Sequence, residues 1–110
     1  MAQNKVKAAT RGTLAGMSLT SSYQAINSTP FAGPCFRIAI YNTTNAAVDI
    51  SYDGSTDHDV VPAASYIVID AQTNAQPTAN MALFMKNLIV YVKGASAAGS
   101  IYLSGYYVTQ

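Results

Sequence analysis

From residue 17 onward, apolar and polar side chains alternate with a period of two, the spacing that sends successive residues to opposite faces of a strand. Met17 and Leu19 begin the alternation, and Tyr23–Ile26 resumes it after Thr20-Ser21-Ser22. Asn27-Ser28-Thr29-Pro30 and Gly33-Pro34 mark a loop, because Pro and Gly interrupt regular pairing. Cys35–Tyr41 reads as a strand with Phe36, Ile38 and Ile40 on one face and Arg37, Ala39 and Tyr41 on the other. Asn42-Thr43-Thr44-Asn45 predicts a turn, and Ala47–Tyr52 a second strand that closes a hairpin with the first. After a break at Asp53-Gly54-Ser55 come two more strands, Asp59–Val61, stopped by Pro62, and Ser65–Asp70, with Ile67 and Ile69 on one face. Ala71–Asn80 reads as a polar loop, Leu88–Lys93 as a strand, Gly94–Gly99 as a small-residue turn and Ser100–Val108 as the last strand.

About seven or eight short strands separated by turn signals predict an all-β fold, an antiparallel β-sandwich of which the jelly roll is one form. Residues 1–16 stand apart. They are rich in Ala, Gly, Lys, Thr and Asn, and Gly12 and Gly16 argue against one continuous element. The expected organisation is an N-terminal extended arm, 1–16, followed by a β-sandwich domain, 17–110. The arm has too little apolar periodicity for a core of its own, so either its own domain or a partner must hold it.

Composition adds one strong signal. Half of the 110 residues are hydrophobic, yet only 10% are charged and there is no Glu, against about 25% charged in ordinary domains. The polar surface must therefore be Ser, Thr, Asn and Gln, and a surface so poor in charge is expected to be covered in part by neighbours. The formal net charge is +1, with every acid between Asp49 and Asp70. A nucleic-acid partner is not expected, since it calls for a strong basic excess. No run approaches the ~18–20 apolar residues of a membrane span, and Met1–Lys5 lacks an apolar signal core. Cys35, the sole cysteine, has no internal disulfide partner, which suits synthesis in a reducing compartment.

Candidate chemistry is sparse. Asp53-Gly54-Ser55-Thr56-Asp57-His58-Asp59 alternates oxygen-bearing side chains, but an EF-hand loop needs Gly at its sixth position and a carboxylate at its twelfth, where this chain has His58 and Ala64. The expected role of this segment is a tight loop in which Asp and Ser cap backbone N–H groups. His58 is the only histidine and lies beside Asp57 and Asp59 in sequence, whereas a nucleophilic triad draws its members from separate elements. No Gly-x-Ser-x-Gly elbow, phosphate loop or dinucleotide fingerprint is present. No catalytic residue, metal ligand or cofactor is expected. Eight tyrosines and no Trp point instead to contact surfaces, because a Tyr ring packs while its hydroxyl stays hydrogen-bonded. The candidate partner-binding residues are Lys5, Lys7 and Arg11 on the arm, and Tyr41 and Tyr91 on outward strand faces.

Ile50-Ser51-Tyr52-Asp53-Gly54-Ser55-Thr56-Asp57-His58 with Val61-Pro62-Ala63, together with Thr20–Ile26, Val92-Lys93-Gly94 and Gly99–Leu103, resembles small virion structural proteins of tailed bacteriophages. The resemblance covers most of residues 17–107 and carries no catalytic residue. It implies a non-enzymatic capsid decoration or cement protein stabilising the assembled head, or else a neck, head-fibre or tail component. It further implies a virion location after synthesis in the host cytoplasm, the major capsid protein or a neighbouring virion protein as partner, and a homo-oligomer, with a trimer favoured. A carbohydrate-binding module, with tyrosines as the sugar platform, is the expectation from another class.

Overall fold

A computed structural model describes residues 5–31, 35–70 and 88–109. Within them lie β1 (Lys5–Ala8), β2 (Gly12–Ala15), β3 (Gln24–Ala25), β4 (Cys35–Asn42), β5 (Val48–Ser51), β6 (Asp59–Val61), β7 (Ser65–Asp70), β8 (Tyr91–Lys93) and β9 (Ser100–Thr109). Where the alternation led us to expect a strand at Met17, the chain instead makes a 3-10 turn over Gly16–Ser18. The strand expected from Leu88 starts only at Tyr91, and the polar loop Ala71–Asn80 lies outside the described residues.

The connectivity is that of a long antiparallel ribbon rolled on itself. β2 pairs with β9, β3 with β8, β4 with β7 and β5 with β6, so the chain ends meet and the β5–β6 loop is the ribbon's tip. Pairing of β4 with β9 and of β5 with β8 then divides the ribbon into two sheets. Their orders are β1-β9-β4-β7, with β2 also on β9, and β3-β8-β5-β6. This is jelly-roll connectivity in an antiparallel sandwich, the fold class the alternation predicts. Ile38, Ile40, Ile101 and Leu103 of one sheet meet Val48, Ile50, Val61 and Val92 of the other in a buried core.

The expected hairpin between Cys35–Tyr41 and Ala47–Tyr52 does not form. β4 and β5 lie in different sheets, and Thr43–Ala47 carries the chain across the sandwich. Each strand has one apolar face, and stacking two such faces removes more apolar surface from water than setting the strands edge to edge. Asn42 fixes the crossing. Its buried side-chain amide donates to the carbonyls of Ala46 (2.8 Å), Val61 (3.2 Å) and Pro62 (3.1 Å), and its Oδ1 accepts from the Thr44 backbone N–H (2.9 Å) and hydroxyl (2.6 Å).

The N-terminal arm is extended, and its own domain holds it. β1 pairs with residues 106–109 of β9 and β2 with residues 100–103, both along the edge that faces away from β4. Between the two stretches Ala9–Arg11 faces only Ser104 and Gly105, which is one residue extra and hence a bulge. The Ala9 N–H donates to the Gly105 carbonyl at 2.7 Å there. Deleting residues 2–11 should leave the remaining sandwich folded and lower its Tm by about 5–10 °C, from the loss of roughly 1–2 kcal/mol of edge pairing. Thermal unfolding followed by circular dichroism checks this, and an unchanged Tm would mean that β1 adds nothing to the fold.

Candidate functional site: the tyrosine face

Strand register builds one distinctive surface. Tyr41 on β4 is the register partner of Tyr102 on β9 and of Tyr66 on β7, so three tyrosines stand abreast across the outer face of the larger sheet. Thr13 on β2 continues the row beyond Tyr102. The next outward row is Ser104, Ala39 and Val68, and the third is Tyr106, Arg37 and Asp70. Alternation explains the composition of the face: Ile38, Ile40, Ile101 and Leu103 take the inward positions and leave these residues on the outer side of the sheet, where only the small Ala39 is itself buried. The rings of Tyr41 and Tyr66 lie 5.6 Å apart and tilted at 33°, and the Arg11 guanidinium sits 4.9 Å from the centre of the Tyr102 ring.

The structure does not gather the five residues picked from sequence. Tyr41 and Arg11 join the tyrosine face, Arg11 through its stacking on Tyr102. Lys5 and Lys7 sit on β1 at the arm edge, as register partners of Thr109 and Tyr107. Tyr91 belongs to the other sheet and is half-buried under the β5–β6 loop, where Gly54 rests on its ring. A Cβ at Gly54 would come within 3.4 Å of that ring, and the backbone there has φ +86°, a conformation that favours glycine. The sequence reading missed Tyr66 and Val68. Both were legible as the outward partners of Ile67 and Ile69, but only the β4–β7 pairing places Tyr66 beside Tyr41.

The β5–β6 loop is self-satisfied. One Asp53 oxygen accepts from the backbone N–H groups of Ser55 and Thr56, each at 2.8 Å, and from the Ser51 hydroxyl at 2.9 Å, which is the capping role expected of it. His58 Nδ1 accepts the Tyr52 backbone N–H at 3.0 Å, and its ring stacks on Tyr52. The Tyr52 hydroxyl donates to Asp59 at 2.6 Å. Asp57 accepts the Tyr23 hydroxyl and pairs with the Lys93 ammonium at 3.1 Å, tying the loop to the second sheet. No group of three or more His, Cys, Asp or Glu among the described residues could hold a metal ion.

These contacts set a pH dependence. Hydrogen bonds from the Ser55 and Thr56 N–H groups hold the Asp53 carboxyl well below the usual carboxylate range, and the Tyr23 hydroxyl followed by Lys93 lowers Asp57. A folded-state pKa below the unfolded value of about 3.9 stabilises the fold above that value, and the contribution is lost as pH falls through the folded pKa. The protein should therefore lose stability on acidification below about pH 4, and Asp53→Ala should lose less over the same interval. Parallel melting curves from pH 6 to pH 2 check this.

Cys35 is buried against Gly105, and burial raises its thiol pKa, so it is not poised as a thiolate nucleophile. A cleft of 390 Å³ opens between the Ala9–Arg11 bulge and the Ile26–Phe31 loop. Its most polar buried neighbour, Asn27, donates to the Leu88 carbonyl at 3.0 Å and accepts from the Val90 N–H at 2.8 Å, and so serves the fold. No helix among the described residues is long and apolar enough to cross a membrane.

No protein-family model matches the chain, and no curated protein matches it. Among solved structures, it is similar to a chain from Bacillus endospore appendages, described as a novel family of disulfide-linked pili, with 16% identity over 99% of this chain and 93% of that one and a TM-score of 0.46. It is also similar to PirA, with 17% identity over 97% of this chain and 95% of that one and a TM-score of 0.37. Scores this low carry no argument about function. The expectation of a phage virion protein is corrected: the similar solved structures are described as endospore appendages and as PirA. With it go the capsid decoration, cement, neck, head-fibre and tail assignments and the virion location.

Proposed function

We propose that this chain is a non-enzymatic structural subunit that assembles with copies of itself through the side of the larger sheet formed by β4 and β7. One observation carries the reading. Of the large apolar residues exposed among the described residues, Tyr41, Tyr66 and Val68 share one face of the larger sheet, whereas Val60 lies on β6 in the other sheet and Met17 on the 3-10 turn. An exposed apolar patch rimmed by polar side chains is the usual mark of a contact surface, whereas apolar residues scattered singly are not. The near-neutral charge supports the same reading, since copies carrying a formal net charge of +1 repel one another only weakly. Sedimentation velocity from low micromolar to several hundred micromolar concentration tests it. The mass should rise above the 11.6 kDa monomer, and the double substitution Tyr41→Ser, Tyr66→Ser should return it to monomer. A wild-type protein that stays monomeric throughout would remove the proposal.

A further inference from the structure

Strand edges are where sheets extend, because each presents a row of backbone N–H and C=O groups ready to pair with another chain. Proteins blunt such edges with Lys, Pro, bulges or very short strands. Three of the four edges here are blunted in these ways among the described residues. The arm edge carries Lys5, Lys7 and the Ala9–Arg11 bulge. β3 is only two residues long. β6 has three residues, opens on Asp59 and is stopped by Pro62.

β7 differs. Ser65-Tyr66-Ile67-Val68-Ile69-Asp70 contains no Lys, Pro or Gly, and its register with β4 runs unbroken over all six residues. Its four central residues are β-branched or aromatic, the types that favour a strand. Among the described residues it pairs on one side only. The core is also open there. Ile67 and Ile69 point inward like Ile38 and Ile40, yet they are only partly buried where Ile38 and Ile40 are 0% exposed. On the outer side Tyr66 is 63% exposed and Val68 40%.

The strand is complementary to itself. When two copies run antiparallel about a two-fold axis through Val68, Val68 faces Val68 of the second copy and Ile67 faces its Ile69. Tyr66 then faces its Asp70, a phenol opposite a carboxylate, and no two like charges meet. A shift of one residue would bring the inward isoleucines out to the solvent face. We infer that β7 is the interface strand, pairing antiparallel with β7 of a second copy to form one sheet that runs through both molecules. The contact is isologous and closes as a dimer, a different symmetry from the trimer expected at first. The inference rests on the assembly reading and narrows its contact to a single strand.

Two variants test it, each beside wild type in sedimentation and each confirmed as folded by circular dichroism. Val68→Lys sets two ammonium groups against each other at the axis and should weaken dimerisation by about tenfold or more. Met17→Ser, exposed on the 3-10 turn away from β7, should leave it unchanged. Val68→Cys in a Cys35→Ala background should give a covalent dimer on mild oxidation, because residues directly opposite across an antiparallel pair lie within disulfide reach. If wild type self-associates but Val68→Lys matches it and Val68→Cys fails to cross-link, the β7 inference is overturned while the assembly reading stands. If wild type stays monomeric and Val68→Cys gives no covalent dimer, both fall.

Discussion

Asn42→Ala should lower the unfolding free energy by about 3–5 kcal/mol, from several buried hydrogen bonds at roughly 1–3 kcal/mol for each polar group left unsatisfied. For a domain of this size that is a drop in Tm of about 15–25 °C. The reason lies in the number of segments one side chain serves. Its amide joins the end of β4 to the crossing at Ala46 and to the end of β6 at Val61 and Pro62, and its Oδ1 holds Thr44. Asn42 and Thr44 are both buried, so water cannot readily replace the lost partners. Thr44→Val is the milder companion, because it removes the hydroxyl but keeps the backbone N–H bond to Asn42. Urea unfolding of both variants checks the order, and a loss below about 1 kcal/mol for Asn42→Ala would show that the crossing is held by packing alone.

Gly16→Ala is the second large effect, for the opposite reason: too much matter rather than too few bonds. A Cβ at residue 16 would lie 2.5 Å from the Ala97 carbonyl oxygen, 2.7 Å from Thr44 Cγ2 and 3.0 Å from the Gly99 carbonyl oxygen. Two of these neighbours are backbone and cannot rotate away. The same residue donates to Gly99 at 2.8 Å and accepts from Ala97 at 3.1 Å and from Leu19 at 3.1 Å, so relief by movement breaks those bonds. A loss of about 2–4 kcal/mol is expected, at the upper end of overpacking effects. Gly94→Ala makes the comparison, since its nearest contact would be the Val48 side chain at 3.2 Å, which can shift, and its loss should be clearly smaller. Equal losses in the two variants would show that the Gly16 surroundings yield more easily than their geometry implies.

Of the fold, the strands and their inward faces were legible in the sequence. Ile38 and Ile40, or Ile67 and Ile69, announce their strands through a period of two that is purely local, whereas Phe36, expected on the same face as Ile38, lies at a register irregularity where Cys35 takes the buried place instead. The scarcity of charge and the abundance of Tyr are equally local signals, since they count what must lie outside once the aliphatic residues are buried. The Asp53–Asp59 loop was read correctly as a capped turn, because an Asx side chain bonds to N–H groups two and three residues onward.

Pairing was not legible, because it joins residues far apart in sequence through backbone groups that every residue shares. The turn at Asn42–Asn45 has hairpin composition, yet it crosses between sheets, a choice settled by the apolar faces of β4 and β5 stacking across the core. The arm lacked the apolar alternation of a strand because it lies at a sheet edge, where its hydrogen bonds to β9 carry the pairing. The same holds for the candidate site. Residue types alone rank Tyr41 and Tyr91 alike, but register sets Tyr41 between Tyr66 and Tyr102 and turns Tyr91 to the other sheet, beneath Gly54. Periodicity in one strand determines which side of that strand a side chain takes; only the pairing of distant strands determines what stands next to it.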